Sequence, residues 1–67
     1  MSEDADNLLK QGIAHYQTSQ FEAALQSWQQ ALSLYRDSLD LRREGAVLGN
    51  IGAAYQALML SYRVPIS

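Results

Sequence analysis

The phrase Leu48-Gly-Asn-Ile-Gly-Ala-Ala-Tyr55 echoes one that opens forty residues earlier at Leu8. Leu8 returns as Leu48, Gly12 as Gly52, and His15 gives way to Tyr55. Self-similarity at such a period, between segments of helical pattern, is the signature of stacked helical units. Each unit of a stack buries its apolar faces only against its neighbours. The second copy is unfinished within the 67 residues. The expectation is therefore an all-α, three-helix fold made of one and a half units.

Such a chain has little core to work with. At this size only about 60% of the surface exposed by the unfolded chain is buried on folding. A single core then supplies about 3–5 kcal/mol, and small folds of this kind usually gain a staple or a partner. There is no cysteine, which excludes disulfides and thiolate metal sites. The single histidine, His15, cannot build a metal site alone. No cofactor is expected, and partner chains are the expected source of extra stability.

Three helices can be read from the spacing of apolar residues. The first is expected over about 5–18, after an acidic segment 1–7 in which Asp4 or Asp6 is a candidate cap. Leu8, Leu9, Ile13 and Tyr16, with the small Gly12, follow helical spacing. The polar stretch Gln17-Thr18-Ser19-Gln20 is short and turns the next helix antiparallel. Ser19 with Glu22 has capping-box spacing. The second helix, about 20–36, carries Phe21, Ala24, Leu25, Trp28, Ala31, Leu32 and Tyr35 on one stripe, opposite Glu22, Gln26, Gln29, Gln30 and Ser33. Trp28 is read as core, with Ala24 and Ala31 marking a close crossing.

The third boundary is weaker, because Tyr35 to Glu44 contains neither proline nor glycine. Asp37, Ser38 or Asp40 could cap a third helix over about 41–63. If they do not, long helices could exchange between chains. Gly45, Gly49 and Gly52 each cost about 1 kcal/mol against alanine in a helix, so close approach of another helix is expected there. Pro65 ends the helix, leaving a tail at 65–67. The helical domain is expected over 8–64.

Leu8, Gly12, Tyr16, Phe21, Ala24, Trp28, Ala31 and Leu32, with Leu48, Ile51, Gly52 and Tyr55, resemble the tetratricopeptide repeat. In that family a helix–turn–helix unit stacks into arrays. The spacing is similar to that of the extended subclass, with a period of about forty rather than the ordinary 34. The structural repeat positions are Leu8, Gly12, Ala24, Trp28, Ala31, Gly52 and Tyr55. The resemblance implies protein–protein interaction, no cofactor, and no catalysis by the repeats. It also implies a concave partner-binding face, to which Gln17, Asn50 and Gln56 are assigned. The basic residues that bind acidic C-terminal tails in similar proteins are not matched, since Leu9 and Ile13 stand in their places.

Two departures from the family pattern matter. The helix-stopping Gly-Asp pair between units is replaced by Leu39-Asp40. The turn and partner helix after Leu58 are missing from the sequence. One flank of the third helix is therefore expected to lack a neighbour, exposing Leu58, Met59, Leu60, Tyr62 and Val64. An apolar flank of that kind marks an interaction site. Self-association is expected, as a homodimer or higher homo-oligomer, docked or domain-swapped. The alternative is a purely structural homo-oligomerisation element with no external ligand.

Other functions find little support. The net charge is −2, and the basic pair Arg42-Arg43 sits between Asp40 and Glu44, so phosphate neutralisation along a nucleic acid is not expected. No apolar run reaches the ~20 residues that span a bilayer. The N-terminus lacks a signal peptide's basic and apolar regions, so the expected compartment is the cytoplasm. His15 lacks the visible partner a general base needs, and no nucleophile, phosphate-loop or metal-ligand spacing is present. The chain is not read as an enzyme.

Overall fold

A computed structural model describes residues 2–63, with side chains from Glu3 to Ser61. The chain forms three helices: α1 (Ser2–Gln17), α2 (Phe21–Asp37) and α3 (Leu41–Arg63). Among the described residues there is no strand. The central helix, α2, packs against both α1 and α3. The all-α, three-helix expectation is met.

Both turns are built in the same way. At the end of α1 the Gln20 amide donates to the His15 carbonyl and the Ser19 amide to Tyr16. At the end of α2 the Asp40 amide donates to Tyr35 and the Leu39 amide to Arg36. This paired closure of the last carbonyls requires one left-handed residue, a position usually taken by glycine. Here Ser19 (φ 64°) and Leu39 (φ 58°) occupy it. The break at Ser38–Asp40 thus forms without glycine, and α2 and α3 do not merge into one long helix.

The capping expectations need correction at two sites. Ser19 belongs to the closing turn of α1 and does not cap α2. The cap position is Gln20, which makes no side-chain cap bond; its Oε1 lies 2.9 Å from His15 Nδ1. Asp4 and Asp6 lie inside α1, since the helix already starts at Ser2. Asp40 does cap α3: its Oδ1 accepts the Arg43 amide at 3.3 Å and its carbonyl accepts the Glu44 amide.

The core lies along α2. Ala24, Leu25, Trp28, Ala31 and Tyr35 are buried there, joined by Ala5 from α1 and Val47, Ile51 and Ala54 from α3. The seam between α1 and α2 is close-packed at Gly12. A Cβ there would stand 2.1 Å from Trp28 Nε1 and 2.4 Å from its Cδ1. The missing side chain lets the indole lie across α1, where its N–H donates to the Leu9 carbonyl at 3.1 Å. Tyr16 packs beside it, with ring centroids 5.8 Å apart, and meets Phe21 edge-on at 5.2 Å. These contacts explain why a chain with little core keeps one large aromatic only 2% exposed.

Candidate interaction surface

Helix α3 has two apolar sides, and the chain covers one of them. Val47, Ile51 and Ala54 face α2 and are buried. Leu58 continues this inner row and packs against the core. It also lines a shallow depression with Phe21, Ala23 and Ser61 at the start of α2. Leu58 is thus on the covered side of α3, not on the bare flank to which it was assigned. The inner row repeats at alternating steps of three and four, as a packed helical seam must.

A second row with the same alternation runs Leu41, Gly45, Leu48, Gly52, Tyr55 and Met59. At 100° per residue it lies about a quarter-turn from the inner row. Leu41 is 73% exposed, Leu48 44%, Tyr55 49% and Met59 58%. Gly45 and Gly52 on this row are exposed, and nothing stands within 4 Å of a Cβ built on either. Gly49, off the row, is equally open. Among the described residues no helix approaches these glycines closely. Gly12 and Gly52 hold equivalent places in the echoed phrase, yet Gly12 lies beneath Trp28 while no described residue covers Gly52.

The remaining expected self-association residues divide by position. Met59 belongs to the bare row. Leu60 is 64% exposed but points about 100° away from Met59. The Tyr62 side chain and Val64 lie outside the described residues. Leu41, Gly45 and Leu48 extend the flank toward the N-terminus of α3, well beyond the 58–64 stretch chosen from sequence. Their signal in the sequence is the alternation of steps of four and three.

The two members of the expected concave polar set on α3 do not share one face. Gln17 and Gln56 are exposed and Asn50 is half-buried. Six residues carry the helix about 240° round, so Asn50 and Gln56 open onto different sides of α3. His15 is half-buried, with its Nδ1 engaged by Gln20.

One polar cluster joins all three helices, and no spacing in the sequence marks it. The buried Tyr35 hydroxyl donates to Asp6 Oδ1. Arg43 Nε approaches the same carboxylate at 3.6 Å, and Arg43 Nη1 donates to Asp40 Oδ2 at 2.7 Å. Burial, reinforced by the bond to Asp6, pushes the Tyr35 phenol up to about 12. The bond from the Arg43 guanidinium holds the Asp40 carboxyl below its ordinary range. Nearby, Arg36 pairs with Glu44 at 3.0 Å. Arg43 and Glu44 at the start of α3 are therefore paired within the chain instead of forming a free docking patch. No buried side-chain polar atom lacks a partner among the described residues.

Among the described residues no three His, Cys, Asp or Glu side chains gather as metal ligands, and no helix is long and apolar enough to cross a membrane. Comparison with family models, with curated proteins and with solved structures found no match.

Proposed function

We propose that the chain is a protein–protein interaction module of tetratricopeptide type, which self-associates through its unfinished second unit. One observation carries this reading. The echoed glycines share a place in the phrase, yet α2 covers Gly12 through Trp28 while, among the described residues, nothing stands within 4 Å of a Cβ built on Gly52. In a stack of units, the face around Gly52 is where the next helix rests. Leu48, Tyr55 and Met59 around it are far more exposed than their apolar character favours. Burying side chains of this size contributes about 1.5–3 kcal/mol each. That total is comparable with the whole stability of so small a domain.

No catalytic role belongs to this reading, which assigns the chain no cofactor, nucleic-acid or membrane partner and places it in the cytoplasm. The alternative, a structural oligomerisation element without an outside ligand, draws support from the placement of Asn50 and Gln56 on different sides of α3. Light scattering after size exclusion tests the common part of both readings. The expected result is a mass above the 7.5 kDa of one chain, rising with concentration up to about 100 µM by mass action. A folded monomer throughout that range refutes self-association. Capture of an outside partner by the native chain, reduced in Asn50→Ala or Gln17→Ala, separates a module from a purely structural element.

A further inference from the structure

We propose that the occupant of the bare row on α3 is the same row of a second copy, laid antiparallel across a two-fold axis level with Asn50. The inference rests on the self-association reading above and specifies its geometry. It begins with a symmetry in the row itself. Leu48 and Gly52 are equidistant from position 50, as are Gly45 and Tyr55, and Leu41 and Met59. An antiparallel pair centred there sets each member of these couples opposite the other. Leu48 meets the gap at Gly52 of the second copy, Tyr55 meets the gap at Gly45, and Leu41 meets Met59 at both ends. A two-fold interface must be complementary to itself, and this row is: large side chains face glycines, and the end positions are large on both sides.

Three further observations favour a second copy over other occupants. First, the apolar stripe of α2 that covers α1 is already used, with Trp28, Ala31 and Tyr35 buried. A second folded copy cannot offer it without opening its own hairpin. Among the described residues, four of the seven exposed large hydrophobic side chains lie on the α3 row itself. Second, none of the six row positions carries a charge, so no like charges meet across the axis. Third, the large side chains of the row, Leu41, Leu48, Tyr55 and Met59, are 44–73% exposed, so an identical row laid on them covers apolar surface on both copies at once. The glycines then have a role that the isolated chain does not give them. They let two backbones approach, as Gly12 lets the indole of Trp28 approach α1.

Cysteine cross-linking tests the geometry in a chain with no cysteine of its own. Leu41→Cys and Met59→Cys lie about 27 Å apart along the helix. In the antiparallel pair neither variant cross-links with itself, but a mixture of the two forms a disulfide-linked dimer under mild oxidation. A parallel pair reverses that pattern, with each variant linking to itself. The glycines supply a second test. Gly52→Ala and Gly45→Ala are expected to raise the melting temperature of the monomer, because both sites are open within the chain, yet to weaken association by about tenfold or more through overfilled gaps. Gly49→Ala, off the row, is expected to raise the melting temperature and leave association unchanged. Association that survives Gly52→Ala and gives self-linked Leu41→Cys overturns this geometry while leaving self-association standing. A wild-type monomer at about 100 µM overturns both.

Discussion

Gly12→Ala tests the packing account most directly, because one added methyl meets a fixed wall. The new Cβ would lie 2.1, 2.4 and 2.7 Å from three atoms of the Trp28 indole. The ring cannot swing clear cheaply. It is 2% exposed, packs against Tyr16, and its N–H donates to the Leu9 carbonyl. Overfilling a packed site costs about 1–3 kcal/mol. Losing the indole hydrogen bond adds about 0.5–1.5 kcal/mol. Alanine's better helix propensity returns about 1 kcal/mol. The net expectation is a loss of about 2 kcal/mol, near half of what a core of this size provides. The same change at Gly49 meets nothing within 4 Å, so it is expected to gain about 1 kcal/mol from propensity alone. Urea unfolding followed by far-ultraviolet circular dichroism measures both, and the fluorescence of the single tryptophan reports whether the indole has moved. Trp28→Phe in the Gly12→Ala background is expected to restore part of the loss, since the two sites share one contact. Gly12→Ala as stable as the native chain would refute the close-packed seam.

Three other changes follow from the turns and the polar cluster. Leu39→Gly relieves a left-handed side-chain residue that is 79% exposed, so a gain of about 1 kcal/mol is expected in thermal or urea unfolding; a loss would mean that the Leu39 side chain contributes unseen packing. Tyr35 binds its proton more tightly folded than unfolded, so its contribution is complete below pH 10 and declines as pH rises toward about 12. Tyr35→Phe should remove that part of the alkaline destabilisation, and an unchanged alkaline profile would argue against the bond to Asp6. Asp40 has the opposite sign. Its carboxyl is held below the ordinary 3.8, so its contribution is present above that value and lost as pH falls through the lower folded value. Acid unfolding of Asp40→Asn should lack this component.

The helices and the inner rows were legible because they follow one-dimensional rules. Period 3.6 marked Phe21 to Tyr35 as a single buried stripe, and Trp28 and Ala24 lie where that stripe placed them. The turns were legible only in part. Hydrogen-bonding side chains suggested a cap at Ser19, but the left-handed closure of α1 claimed that residue, and glycine was not required for either turn. The Asp6–Tyr35–Arg43 cluster could not be read from spacing, since its members come from three helices and meet only after packing sets their angles.

The glycines show most clearly where local pattern stops being informative. Gly12 and Gly52 sit in the same phrase, and intrinsic propensity disfavours both equally. At Gly12 the reason for a glycine lies within the chain, in the indole pressed against the backbone. At Gly52, and at Gly45 one row step before Leu48, no atom of the described chain supplies such a reason. Chance could leave one exposed glycine in a 23-residue helix, but it accounts poorly for two that alternate with Leu48 and Tyr55 about a single midpoint. A helix that gives up about 2 kcal/mol of propensity at two such positions gains by it only when another backbone comes close. Under the proposed self-association, the self-complementary order of the row makes a second α3 the surface that fits.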